Sequence, residues 1–387
     1  MTGLYLSDSG TPIISRAVDL LASRTIHGAI LSPFATPRLP DFSSRSGRAR
    51  QDARRCVAEM RAAGGHILLD AHTHAVDFPG ANNFTRYNIW QLWPGRRGDL
   101  STPDLRQGHV DLVIAAQNEL GVEVLGPTTR LNQPTGTQAQ WAIDLAQRTL
   151  SSAPTGWLTI AGSSAFWASG NALDAHVGLV SQLRPAGYVL VVTRPTMTYP
   201  PQEVTDQEVE GLCRTVHSLQ IRSPVIVSHG DLLALPAIAA GAVGLGSGWD
   251  LRQRVLGADA FQIVTTIRRR GSRVTYRELL GVLKRREAET LRVRDAALSN
   301  RLIPGELPTG QVEEWRGHMR ALASVVDQLA SQPVGRARVE ALRLLYSAAD
   351  ADFRTVEALV GRLQHGRRSW LDAMIGGLNL YAAGEGW

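Results

Sequence analysis

The chain of 387 residues has two cysteines, Cys56 and Cys213, and a single lysine, Lys284. Two thiols exclude a disulfide-stapled secreted scaffold and a cysteine-rich zinc module. Both lie in stretches with amphipathic helical spacing, which predicts reduced thiols in the core. No apolar run approaches the ~20 residues that span a bilayer, and no charged-then-apolar leader opens the sequence. A cytoplasmic protein without a membrane partner is therefore expected. With 44% apolar and 20% charged residues, the chain has material for one large domain and an appendage.

Because lysine is nearly absent, the positive charge is almost all arginine. The net charge of +6 is unevenly placed: residues 262–301 hold eleven basic against four acidic side chains, so the remainder sums to −1. A basic belt such as 268–294 fits a nucleic-acid surface, a solvated helix face or a contact with an acidic partner.

Short Val-, Ile- and Leu-rich runs recur at Gly28 to Ser32, His66 to Asp70, Val122 to Leu125, Trp157 to Ala161, Tyr188 to Val192, Pro224 to Ser228, Ala242 to Leu245 and, weakly, Phe261 to Thr265. Between them helical patterns occupy 47–63, 103–120, 136–150, 171–183, 205–220, 231–240 and 250–257. Continuous apolar strands alternating with helices indicate a parallel sheet covered on both faces. Eight such units close most economically as a (β/α)₈ TIM-type barrel over residues 1–298. A doubly wound open sheet is the alternative, but no Gly-x-Gly-x-x-Gly follows the first strand. Gly244-Leu-Gly-Ser-Gly248 suits either a phosphate cradle or a tight turn. From 275 onward only helical patterns follow (275–298, 311–331, 336–347, 353–364, 368–381), which predicts a C-terminal all-helical extension over 299–387. Its apolar face needs cover from the barrel, another subunit or a protein partner.

The long segment 76–101 carries Phe78, Phe84, Tyr87, Trp90 and Trp93. Loops of this length are more often functional than idle. Its aromatics can line a pocket, stack on a base or pack the loop down.

Chemistry in such folds gathers at the carboxyl ends of the strands. On an extended strand Asp70, His72 and His74 share one face, where three titratable groups demand a polar cavity. Other strand ends supply Arg130, Arg194, His229, Asp231, Trp249 and Asp250, with Arg252 and Arg254 just beyond. His72, His74 and His229 are candidate ligands of a divalent metal such as zinc or manganese. Asp70, Asp231 and Asp250 are candidate catalytic carboxylates. Arg194, Arg252 and Arg254 suit a small anionic, phosphate- or nucleotide-containing substrate, with Trp249, Trp90 and Trp93 bounding its pocket.

Asp70-Ala-His-Thr-His74 resembles the Asp-x-His-x-His strand end of metal-dependent hydrolases of the amidohydrolase superfamily. Val227-Ser-His229 and Gly246-Ser-Gly-Trp-Asp250 are similar to that family's later histidine and aspartate strand ends. The resemblance implies metal bound by His72 and His74 and hydrolysis by activated water. Departures are the strand count, second and seventh here against first and eighth, and the lack of a strand-end lysine.

Two other readings stand beside it. Asp70 and Asp250 opening into one mouth would suit metal-free glycosyl exchange, similar in outline to tRNA-guanine transglycosylases, although the Asp-Ser-Gly-Gly-Phe segment and zinc cysteines of that family are absent. Alternatively the barrel is a non-catalytic scaffold whose helical tail binds a partner or a second copy.

Overall fold

A computed structural model describes residues 2–9, 14–38, 52–200, 203–263, 272–303, 305–363 and 368–387 of the protein. Eight parallel strands form its centre: β1 (Gly3–Ser9), β2 (Gly28–Leu31), β3 (His66–Leu69), β4 (Leu125–Gly126), β5 (Trp157–Ser163), β6 (Gly187–Arg194), β7 (Val225–Ser228) and β8 (Gly244–Ser247). Their order is β3-β2-β1-β8-β7-β6-β5-β4, and a parallel bridge from Leu68 to Glu123, just before β4, brings the two ends together. This is the expected (β/α)₈ barrel. Two short strands, Arg130–Leu131 beside β5 and Leu256–Gly257 beside β6, widen its carboxyl rim.

The seam between β3 and β4 is thin because β4 has only two residues. Gln117, fully buried in the helix Pro103–Leu120, substitutes for the missing ladder. Its amide nitrogen donates to the carbonyls of Leu69 at 2.9 Å and Leu125 at 2.8 Å, and its oxygen accepts from the Leu125 N–H at 3.3 Å. A buried amide satisfied on both ends is a specific connector rather than a desolvation cost.

The strand count needs one correction. β1 was not among the expected strands, and the run expected at Phe261 to Thr265 is not the eighth. Phe261 ends a 3-10 turn, Ala258–Phe261, and the rest of that run from 264 lies outside the described residues. The eighth place is taken by β1, which pairs with both β2 and β8. The histidine strand is thereby the third and the Trp249-Asp250 strand end the eighth.

The amino ends of the strands are plugged by aromatic side chains. The Tyr5 hydroxyl stands 3.0 Å from His66 Nδ1, His66 and Trp157 rings are 5.6 Å apart, and the Trp157 indole donates to Glu123 at 2.7 Å. Large side chains from β1, β3 and β5 fit because their neighbours are glycine. A Cβ on Gly28 would lie 2.6 Å from the Tyr5 ring, and one on Gly187 would lie 2.4 Å from Trp157. Large residues on odd strands opposite small ones on even strands form one layer of a filled barrel.

Two helical expectations in the tail also change. Residues 273–284 form a hairpin, Arg273–Tyr276 against Gly281–Lys284, rather than the start of a helix. Val274, Tyr276, Val282 and Leu283 bury the hairpin, and Leu280 turns it with a φ of 46°. Residues 336–360 form one helix, Arg336–Val360, where two were expected, since no glycine or proline interrupts them. The helix Gln311–Ala330 packs on β1 and on Leu235–Ala240, and Arg316 pairs with Asp19 of Ile14–Ala22 at 2.9 Å. It therefore stands between the first and seventh outer helices, where the eighth helix of a barrel belongs. Helix Ala296–Leu302 spans the expected boundary at 298/299. Cys56 and Cys213 are free and buried. No described helix is long and apolar enough to cross a membrane.

Four arginines of the basic segment make contacts within it or with the tail. Arg277 reaches Glu278 and Gln328, Arg285 reaches Glu289 and Glu314, Arg294 caps the Leu359 carbonyl, and Arg301 pairs with Asp352. Arg268, Arg269 and Arg270 lie outside the described residues.

The plugged floor makes a testable claim. Trp157→Ala should lower unfolding stability by ~3–5 kcal/mol. Gly187→Val, which forces a side chain into the same ring, should cost ~1–3 kcal/mol. Denaturant midpoints equal to wild type in both variants would show that the layer is not packed as described.

Candidate functional site

β3 ends at Leu69 and the chain turns at once. Oδ1 of Asp70 accepts the His72 backbone N–H at 2.7 Å, His72 takes a left-handed φ of 50°, and Thr73–Val76 coils as one helical turn. The expectation that extended backbone places the three residues on one face is thus corrected, because alternation stops at Asp70. The turn gathers them all the same. One ligating atom from each of Asp70, His72 and His74 lies within 4.8 Å of the others, and all three residues are buried. A left-handed non-glycine residue costs ~1–2 kcal/mol, so the cluster is held against local preference.

Asp70 Oδ2 and all four ring nitrogens of His72 and His74 are buried without a hydrogen-bond partner. Each such atom costs ~1–3 kcal/mol. Burial pushes the His74 imidazole down to about 3, so its ring is neutral and carries a free lone pair. Burial alone would raise the Asp70 carboxyl, but the adjoining His72 and His74 and the His72 N–H outweigh it and hold it below its ordinary value. The cluster is walled by aromatics: Phe34 and Phe261 stand 5.9 and 6.2 Å from the His72 ring.

His229 reaches the same place from the end of β7, with a φ of 53°. Its Nδ1–H donates to the Arg252 carbonyl at 2.8 Å, and its ring meets His72 edge-on at 5.8 Å. Arg252 thus contributes its backbone here.

A supporting residue had no signal in the sequence. His109, fully buried in the helix Pro103–Leu120, donates Nδ1–H to the Leu92 carbonyl at 2.6 Å and accepts the Thr73 hydroxyl on Nε2 at 2.8 Å. Thr73 is the residue between the two histidines, so His109 anchors their turn. Trp93 stacks on His109 at 3.9 Å and donates to the Tyr87 hydroxyl at 3.1 Å. Trp90 is buried and donates to the Thr36 carbonyl at 3.0 Å. Both tryptophans therefore brace the loop 76–101 from within. An isolated histidine in an apolar helix face reads as core, and only its partners reveal more.

The remaining candidates lie around the cluster. Asp231 is fully buried and saturated: Tyr199 donates to it at 2.5 Å, His318 at 2.8 Å, Ser247 also donates, and Arg254 stands 3.8 Å away. Arg194 forms a buried forked pair with Glu208, one arm at 2.8 Å. Arg254 donates to the Gly248 carbonyl at 2.7 Å. Asp250 is exposed and starts the turn Leu251–Arg254. Trp249, Asp250 and Arg254 share a cleft of about 380 Å³ with Arg273, Arg285 and Glu314.

No protein family and no curated protein matches this chain. Among solved structures it is similar to the exo-beta-1,4-mannosidase Op5Man5 from Opitutaceae bacterium strain TAV5, with a TM-score of 0.33, 11% identity, and 63% of this chain covered. The chain spans about half the length of that protein, 51%. It is also similar to an L-ribulose 3-epimerase, with a TM-score of 0.36 and 12% identity over 94% of this chain and 99% of the other.

Two outcomes follow from these contacts. Asp231→Ala strands Arg254 in a dry site and should cost ~3–5 kcal/mol of stability in chemical denaturation. His109 is held by burial at about 4, below its ordinary 6.5. The unfolded chain then binds a proton that the native one refuses, so stability falls as pH drops from 6.5 toward 4. The slope from this one group is ~1.4 kcal/mol per pH unit. In His109→Gln, denaturation at stepped pH should show that increment missing; an unchanged slope would contradict a neutral buried ring.

Proposed function

We propose that this chain is a metal-dependent hydrolase with its ion held by Asp70, His72 and His74. One observation carries the reading: five donor atoms of three adjoining residues are buried without hydrogen-bond partners, and one atom from each residue lies within 4.8 Å of the others. Native interiors satisfy nearly all buried polar groups, and a cluster of exceptions needs a ligand to explain it. Two imidazole nitrogens and a carboxylate oxygen suit zinc or manganese, and three protein ligands leave an open position for catalysis. The resemblance of Asp70-x-His72-x-His74 to the strand end of the amidohydrolase superfamily supports the same assignment.

Such an ion, when bound, acts as a Lewis acid and lowers the pKa of water toward ~7. The chain's own groups do the rest. His229 is not one of the three groups lying within 4.8 Å of one another, which fits a proton carrier better than a ligand. Its Nδ1–H bond to the Arg252 carbonyl fixes the orientation of the ring beside His72. Phe34 and Phe261 exclude bulk water from one side of His72, which strengthens every charge interaction there. Thr73 and His109 keep the turn in its left-handed geometry. Asp231 and Asp250 are left out of the chemistry, since one is saturated by its neighbours and the other caps a turn.

Elemental analysis by ICP-MS tests this. Wild type should carry close to one zinc or manganese per chain, and a His72→Ala/His74→Ala double variant that keeps its circular dichroism should carry none. Chelator should abolish hydrolysis in a screen of phosphoesters and amides, and re-addition of the ion should restore it. Metal-free wild type after incubation with excess zinc and manganese would overturn the reading.

A further inference from the structure

Two of the three arginines expected to receive an anionic substrate are engaged: Arg194 by Glu208, Arg254 by the Gly248 carbonyl and the Asp231 carboxylate. Arg130 is not. It opens the strand Arg130–Leu131, paired with β5 through Ala161, and this strand packs on the turn Thr73–Val76 that bears His74. Its Nε is buried and has no hydrogen-bond partner, and among the described residues no carboxylate forms an ion pair with its side chain. Its guanidinium carbon stands 5.2 Å from the centroid of the Phe78 ring. Phe78 stacks on Phe261 at 5.5 Å, and Phe261 borders His72 at 6.2 Å. One aromatic wall therefore runs from the metal-ligand cluster to the arginine.

A half-buried cation without a contacting carboxylate is costly unless another anion comes to it. Asp77 acts on Arg130 only through space, and burial pulls the guanidinium below its ordinary pKa. A ring beside the guanidinium limits its orientations, and its donors form a planar fork that matches two oxygens of one anion.

We propose that Arg130 is the oxyanion-binding residue of this site, taking two oxygens of a carboxylate or phosphate group while the bond to be hydrolysed lies over Asp70, His72 and His74. The second half rests on the hydrolase reading; the first does not. Under this assignment the substrate carries an anionic group close to the bond that breaks, and neutral amides or esters of similar shape are poor substrates.

The test is calorimetric titration of the full chain with inorganic phosphate and, separately, acetate, each with zinc-free and zinc-loaded protein. Wild type, Arg130→Gln, Arg130→Lys and His74→Ala are compared. At least one anion should bind wild type in both forms, at least tenfold more weakly to Arg130→Gln and with partial recovery in Arg130→Lys. His74→Ala should retain the binding of zinc-free protein. Which anion binds decides between phosphate and carboxylate. Equal affinity in wild type and Arg130→Gln, or no binding of either anion to wild type at ~10 mM (a Kd above this is weaker than ~3 kcal/mol), overturns the proposal. Should Arg130→Gln lose its fold by circular dichroism, Arg130→Lys carries the comparison, and unchanged affinity there overturns it. Failure of zinc to bind alongside Arg130-dependent anion binding would remove the hydrolase reading and leave this one standing.

Discussion

A single buried carboxylate ties the barrel rim to the helical tail. Asp231 follows β7 and is fully enclosed, yet it binds Tyr199 from the β6 side, Ser247 at the end of β8, and His318 on the helix Gln311–Ala330, with Arg254 alongside. An ionised carboxylate in a dry interior is tolerable only when several donors converge on it. Here they do so from four segments, and none can move without stranding a charge. The neighbours of Asp231 hold its carboxyl far below the ordinary range despite its burial. The same contact explains why the helix Gln311–Ala330 belongs to the outer ring: His318 reaches into the barrel rim and Thr275 of the hairpin holds its other nitrogen at 2.9 Å.

The eight-stranded architecture was legible because buried parallel strands read as unbroken Val, Ile and Leu runs, and Tyr188 to Val192 or Pro224 to Ser228 admit little else. β1 was missed because its sequence, Gly-Leu-Tyr-Leu-Ser-Asp-Ser, alternates with polar residues and contains glycine and aspartate, which weigh against a strand. What makes it a strand is two neighbours, β2 and β8, whose pairing no local window contains. The hairpin at 273–284 was hidden for the opposite reason. Its arginines and apolar residues satisfy a helical period as well as a strand period, and the cost of the Leu280 turn is visible only in space.

For the site, residue type was informative and geometry was not. Asp70, His72 and His74 come together, but through an Asx-type turn rather than strand alternation. Arginine was expected at strand ends, yet sequence could not say which ones already had carboxylates. Glu208, which takes Arg194, lies on a helix and reads as a surface residue of its first turn. The aromatic loop 76–101 turned out to be a brace: Trp93 and Tyr87 stand behind His109, which stands behind Thr73. That chain of contacts ties the rigidity of the loop to the placement of the two histidines.

The partnership of β1 with β8 has a consequence for how the chain reaches this state. Gly3 pairs with Gly244, so the last gap in the barrel closes between segments about 240 residues apart. At ~5–20 residues per second on the ribosome, β1 waits roughly ten to fifty seconds for that partner. During the wait only its β2 side can be covered, and an apolar parallel edge with open amides is exposed to other nascent chains. The helix that finally lies over β1, Gln311–Ala330, is made later still. Complete cover of β1 therefore requires most of the chain to have been made.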